Sequence, residues 1–319
     1  MRRRALLKTV AAASVTLGAR ASATGRKYAY VQWDVFSAQP LKGNPLAVFT
    51  DARGLSDAEM QALARETNLS ETTFILPREA AVERERGVRV RIFTALEELP
   101  FAGHPTLGTA MAIRAGHATP PSEVALELKA GKIPVTFHKE ANGQVFGEMR
   151  QSDPVFSEIH SRDVVAPLIG LKPEDIADDV PIQTLTTGLL IVILPLISLA
   201  AIRSVRVNYP AANEYLERTE GRGFYFVTRE TEDPKARLHA RRLFEDREDP
   251  ATGSAAGCAA AWMVRHGVAK SDEQALIEQG AEIHRQGQIF VRATRQGDTV
   301  SNVRVGGHAA EVLRGEFLL

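Results

Sequence analysis

The amino-acid sequence predicts an α+β protein of two similar lobes, and three observations carry that expectation. First, Leu99–Ile113 (LPFAGHPTLGTAMAI) returns as Asp249–Met263 (DPATGSAAGCAAAWM). A shift of 150 residues lays Pro100 on Pro250, Gly103 on Gly253 and His104 on Ser254; Glu98 falls on Glu248. Arg91-Ile92-Phe93 precedes the first copy and Arg242-Leu243-Phe244 the second. Repetition at so long an offset marks a duplicated unit, not a short solenoid repeat. Second, each copy runs through an apolar strand, an acidic turn with proline, a glycine turn and a helix of small residues. Third, much of the remaining chain alternates apolar and polar residues over short runs, as half-buried strands do.

The repeated unit has a specific physical meaning. Glycine at the turn lets the backbone approach a ligand without a Cβ in the way. The helix that follows begins with unpaired N–H groups, and its dipole favours negative charge there, so its tip is an anion site. The helix body of Gly, Ala, Thr, Met and Cys is slim and apolar, suited to enclosure by sheet. Two such helices with facing tips would hold an anion between them. The plainer reading, two packed strand–helix corners with no ligand, is disfavoured by the polar residues at both turns.

Size and composition bound the rest. With 319 residues the chain makes one large domain or two moderate ones, and 44% hydrophobic with 24% charged residues is ordinary for a globular protein. Lys plus Arg and Asp plus Glu are 39 each, so no basic surface points to nucleic acid. One cysteine, Cys258, excludes an internal disulfide and a cysteine-rich metal site. His138, His239, His266, His284 and His308 do not fall at ligand spacing, so no metal is expected. Arg2-Arg3-Arg4-Ala5-Leu6-Leu7-Lys8, the alanine-rich run behind it and Ala21-Ser22-Ala23 resemble a twin-arginine export signal over residues 1–23, cleaved after Ala23. Export would place the mature protein in a bacterial periplasm or outside the cell, with no membrane segment after cleavage.

The elements follow in order. Val31, Trp33 and Val35 alternate as a strand; Gln39–Pro45 turns and Leu46–Phe49 returns. Ser56-Asp57-Ala58-Glu59 is a capping box for a helix to about Thr67, with Met60, Leu63 and Ala64 on one face. A strand begins near Thr72, with Phe74 and Leu76 on one face and Glu71, Thr73 and Ile75 on the other. Taken alone, Glu71 reads as a solvated carboxylate at a strand start. Val88–Phe93, Ser122–Leu128 and Ile133–His138 are expected strands, and Ser161–Leu171 and Lys172–Ala177 short helices. Leu189–Ile202 reads as a buried strand running into a helix, too short for a membrane span. Asn213–Arg218 is expected as helix, Gly223–Thr228 and Arg237–Phe244 as strands, and Ser271–Gln279 as an amphipathic helix. Glu282–His284, Gln288–Ala293, Thr299–Val305, Ala309–Leu313 and Glu316–Leu319 close the chain as strands. The first lobe is expected over residues 26–135 and the second over 136–319, with the last strand free to return to the first lobe.

The stretches DVFSAQPLKGNPLAVF, NLSETTFILP, RIFTALEELPFAGHPTLGTA and EDPATGSAAG, with Thr187-Gly188-Leu189 before an apolar strand, resemble the phenazine-biosynthesis PhzF-like isomerases from about Tyr28 onward. That resemblance implies the diaminopimelate-epimerase fold, two pseudo-symmetric lobes, each a sheet rolled around a central helix, with the site between them. It implies Glu71 as the catalytic acid–base, and His104 and Asp249 as its active-site companions. Ser70, Gly103, Gly253 and Ser254 become substrate-binding positions. The best-known member isomerises a dihydro-hydroxyanthranilate without a cofactor, by a glutamate that moves a proton between ring carbons. A carboxyl in a dry pocket suits this, because burial lifts its pKa toward working pH. The substrate carboxylate would sit at the helix tips. His104 would donate a hydrogen bond or shuttle the proton, Asp249 would fix His104 or the substrate's polar groups, and Ser254 would donate to the carboxylate. Related racemases place a cysteine at each helix start; here those places fall near Ala102 and Thr252, so a two-thiol inversion is excluded. Cys258 reads as a small buried residue. The expected partner is a small carboxylate substrate, and the family implies a homodimer. The competing readings are an exported small-anion binding protein without catalysis, and an epimerase of a small amino or hydroxy acid using Glu71 and His104 as paired bases.

Overall fold

A computed structural model describes residues 25–319; the expected export signal over residues 1–23 lies outside them. In the first lobe the strand ladder runs Ala309–Leu318, Lys27–Val35, Asn44–Phe49, Glu71–Ile75, Val88–Phe93, Glu123–Leu128, Gly131–Lys139, Val145–Arg150. In the second it runs Val155–His160, Ile182–Thr186, Leu190–Leu196, Phe224–Thr228, Ala236–Leu243, Ala275–Gln279, Gly287–Gln296, Thr299–Gly307. Both ladders step through the same senses: antiparallel twice, parallel, antiparallel, parallel, antiparallel twice. The duplication seen in one turn of sequence therefore extends to the whole of each lobe. Val145–Arg150 and Thr299–Gly307 pair antiparallel with each other and join the two sheets. The first lobe's ladder continues past residue 135 to Arg150, and its outermost strand comes from the end of the chain.

Each sheet wraps one helix. Gly103–Gly116 is buried along its whole first half, Gly103 to Met111. Gly253–Arg265 is buried except at Ser254 and Arg265. Small side chains permit this: a helix of Gly, Ala and Thr presents little bulk, so strands approach it from every side and apolar area is buried all round. Outside the first sheet, Asp57–Thr67 forms as expected. Ser56 Oγ accepts from Glu59 N while the Glu59 carboxylate accepts from Ser56 N, and Met60, Leu63 and Ala64 are its buried face.

Several expected elements differ. Ser271–Gln279 is not a helix; Ala275–Gln279 is a central strand with all five residues buried. Both faces are covered, and the polar Glu278 and Gln279 are buried on hydrogen bonds to His239 and Tyr225, so the run lacks the alternation of a half-buried strand. Glu282–His284 is a turn, with His284 at φ 59°. The two strands expected at the chain end are one, Ala309–Leu318, with a register shift opposite Gln32 and Trp33. The helix Ala80–Arg86 and the strand Val155–His160 were not anticipated.

Candidate active site

Glu71 is the first residue of its strand, beside Leu46 of the parallel neighbour. Thr73, on the same face, is fully buried, and its Oγ1 lies 2.8 Å from Thr109 Oγ1 of the first central helix. That face looks at the helix, so Glu71, two residues earlier, looks at the helix tip. Its side chain is 17% exposed, and its Oε2 is 3.5 Å from His104 Nε2. The solvated carboxylate expected from local sequence is thus overturned: strand pairing turns the Thr73 face inward and carries Glu71 with it. Burial pushes its carboxyl up to about 8; the charge of Asp249 adds to the push and Arg247 opposes it.

His104 is the second residue of Gly103–Gly116, and its side chain is 4% exposed. Burial lowers its pKa to about 3, against a weaker opposing hydrogen bond to the Pro45 backbone, so the ring is neutral at pH 7. Nε2 is buried and has no hydrogen-bond partner among the described residues.

Asp249 lies in the short strand Glu248–Asp249, opposite Arg242. Its Oδ1 accepts from Asn44 Nδ2 at 2.7 Å and its Oδ2 accepts from Thr252 Oγ1 at 2.6 Å. Burial raises its pKa, against hydrogen bonds from Thr252 and Asn44 and the charges of Arg242 and Arg247. Asn44 and Thr252, not His104, hold this carboxylate. Gln279 completes the support: its Nε2 donates to the Asp249 carbonyl at 2.7 Å and to Thr252 Oγ1 at 2.9 Å, and its Oε1 accepts from Tyr225 Oη at 2.9 Å. Sequence reasoning missed Asn44, Thr252 and Gln279. In the sequence Asn44 belongs to a turn and to the DVFSAQPLKGNPLAVF stretch without a role of its own, and the other two gain meaning only from tertiary contact.

The helix tips meet. A Cβ placed on Gly103 would stand 2.7 Å from Ser254 N, and one on Gly253 would stand 2.9 Å from Phe36 Cζ. Only glycine permits this approach. Neither N-cap residue, Ala102 or Thr252, caps its helix with a side chain. His104 and Ser254 hold the same second helical position on the two sides. Ser254 and Ser70 are half-buried. A cleft of about 1020 Å³ opens between the lobes, lined by Pro45 and Ser70 from the first and Arg242, Arg247 and Pro250 from the second. Ser70 and Pro250 are the chain neighbours of Glu71 and Asp249, which do not themselves line it.

Matching ion pairs brace the two turns. Arg91 holds Glu98 through Nε and Nη2, both at 2.8 Å; Arg241 holds Glu248 through the same atoms at 3.0 and 2.7 Å. The counterpart of Arg91 is therefore Arg241, and the flank expected at Arg242-Leu243-Phe244 is one residue out of register. One residue along a strand changes the face, so Arg242 takes the place of Ile92. Cys258 is buried, which pushes its thiol up to about 11. Among the described residues no group of three His, Cys, Asp or Glu is arranged to hold a metal, and no helix is long and apolar enough to cross a membrane.

Comparison with known proteins agrees with this architecture. The family model described as phenazine biosynthesis-like protein matches residues 33–315. An uncharacterised isomerase of Mesorhizobium japonicum is 36% identical, over 91% of this chain and 98% of its own. A trans-2,3-dihydro-3-hydroxyanthranilate isomerase of Pseudomonas aeruginosa is 34% identical, over 91% of this chain and 99% of its own. Among solved structures, a Bacillus anthracis phenazine biosynthesis protein of the PhzF family superposes with a TM-score of 0.83, at 29% identity, over 92% of this chain and all of that one.

Proposed function

The chain belongs to the phenazine biosynthesis-like protein family, and from that premise we propose that it is an isomerase in which Glu71 alone moves a proton between two carbons of a small carboxylate. The observation that carries this reading is the place of Glu71: a mostly buried carboxyl at the junction of two uncapped helix tips, 3.5 Å from His104 Nε2. The substrate carboxylate binds at the tips, on the amides around Gly103, Gly253 and Ser254. Ionised Glu71 then takes a proton from carbon: the C–H bond breaks, an O–H bond forms, and the electron pair moves into the carbon framework. The same carboxyl returns the proton to a second carbon as the pair moves back. A group raised toward neutral pH serves both halves of this cycle. The neutral His104 ring stands beside it with an Nε2 unpartnered among the described residues, free to hydrogen-bond the substrate. As a second base it would have to become a buried cation, which its surroundings oppose. This favours one-base isomerisation over two-base epimerisation. Asp249, clamped by Asn44 and Thr252, offers the substrate a fixed polar contact and keeps Glu71 easily protonated.

The test is incubation of the wild-type protein in D2O with trans-2,3-dihydro-3-hydroxyanthranilate and a panel of small unsaturated carboxylates, followed by NMR. The reading predicts a product isomer carrying solvent deuterium on carbon for at least one of them. Carboxylates that bind but neither isomerise nor exchange would remove the enzymatic reading. We also propose that residues 1–23 direct twin-arginine export; N-terminal sequencing of the exported protein should begin after Ala23.

A further inference from the structure

The lobes repeat each other, yet one wall of the cleft does not. At the offset of 150 residues the second lobe carries Arg242 where the first has Ile92, Phe244 where it has Thr94, and Arg247 where it has Glu97. The ladders confirm the first equivalence: Ile92 stands opposite Leu99 and Arg242 opposite Asp249. An aliphatic place in one lobe is thus a guanidinium in the other, and that guanidinium is 6% exposed and lines the cleft.

Arg242 donates from Nη1 to the Phe224 carbonyl at 2.7 Å and from Nη2 to the Arg222 carbonyl at 2.8 Å. Of its five N–H groups, three remain. Among the described residues it forms no ion pair; Asp249 across the ladder has given its oxygens to Asn44 and Thr252. Arg242 and Arg247 flank one ring, each guanidinium carbon 5.0 Å from the centroid of Phe244. Among the described residues Arg247 pairs with the exposed neighbour Asp246 alone, at 3.2 Å, a contact that a ligand carboxylate can displace. Bracing two carbonyls explains two of the Arg242 donors. It does not use the other three N–H groups. The charge of Asp249 favours the guanidinium, but its oxygens accept from Asn44 and Thr252, so a buried cation that lines the cleft in one lobe only is left with donors to spare.

We propose that Arg242 and Arg247, in the cleft wall, seat a second anionic group of the substrate, whose first carboxylate is held at the helix tips; the substrate is then a small dicarboxylic acid. The tips do not themselves line the cleft, but its lining residues Ser70 and Pro250 adjoin Glu71 and Asp249 in the chain, and Asp249 stands opposite Arg242. The inference rests on the helix tips being the seat of the first carboxylate. It is tested by binding, which needs no turnover. Succinate, glutarate and adipate are titrated against butyrate, valerate and hexanoate, following thermal unfolding and calorimetry. At one chain length the diacid should bind at least tenfold more tightly than its monoacid. Arg242→Met and Arg247→Met should each cut that preference to under threefold and leave monoacid affinity unchanged. No preference at any length in the wild type, or a preference that survives both substitutions, overturns the proposal. Should Arg242→Met fail to fold, Arg247→Met decides alone by the same criterion. Preference for diacids without proton exchange would leave this inference standing and remove the isomerase reading; exchange without preference would do the reverse. Binding of neither acid class would end both.

Discussion

Glu71 and Asp249 are both buried carboxyls, and the charge of Asp249 makes Glu71 harder to ionise. On the proposed mechanism Glu71 is ionised when it takes the first proton, so kcat/KM should rise with pH through a limb near 8. Asp249→Asn removes the negative neighbour, so the limb should move to lower pH; a limb that stays in place would show that Asp249 does not act on Glu71. Asn44→Ala deprives the Asp249 carboxylate of one buried donor and should cost about 1–3 kcal/mol of stability, read by urea unfolding. How far these residues are legible differs. Glu71 shares a strand face with Thr73 and Ile75, and had that face been recognised as the one meeting a central helix, its burial would have followed. Asn44, Thr252 and Gln279 carry no such local mark. Their roles arise from hydrogen bonds across as many as 207 residues of chain, which no short pattern encodes.

At the level of elements the decisive feature is two helices tip to tip. Ala normally stabilises a helix relative to Gly by about 1 kcal/mol. At Gly103 the new methyl would instead meet the backbone at Ser254, so Gly103→Ala should destabilise by about 1–3 kcal/mol and weaken carboxylate binding, both measurable by thermal unfolding with and without butyrate. The capping box at Ser56 and the glycine turns were legible because they are local backbone chemistry. Ala275–Gln279 was not, since a strand buried on both faces loses its alternation. That strand has a further consequence. His239, fully buried, sits between Glu278 at 2.8 Å and Glu282 at 3.0 Å. These two carboxylates overcome the cost of burying a charge and raise the imidazole to about 9. A raised histidine contributes stability that is complete below its unfolded pKa and is lost as pH rises through the folded value. His239→Ala should therefore cost about 3–5 kcal/mol at pH 6, as expected for removing one member of a buried charged group, and less at pH 10. A cost independent of pH would contradict the charged assignment.

For the whole molecule, the antiparallel pairing of Val145–Arg150 with Thr299–Gly307 makes one continuous sheet of two lobes. Glu148 adds to that seam by accepting from Arg292 and Arg304 at 2.7 and 3.0 Å. Such a seam predicts one cooperative unfolding transition in calorimetry; two separated transitions would show the lobes to be independent. The duplicated plan was legible from fifteen residues seen twice, because both copies kept the glycine that their contact requires. The exchange of the last strand, Ala309–Leu318, into the first lobe was open on sequence alone, since alternation specifies a strand but not its partner. The central claim is that this closure of lobe on lobe sets a single carboxyl beside a bound carboxylate to carry hydrogen across it. It is tested most directly by following solvent deuterium into a substrate of the wild type with Glu71→Gln in place of the wild-type protein. The account predicts that exchange falls by about 10²–10⁴-fold while affinity for the carboxylate stays within a few-fold; exchange at the wild-type rate would contradict it.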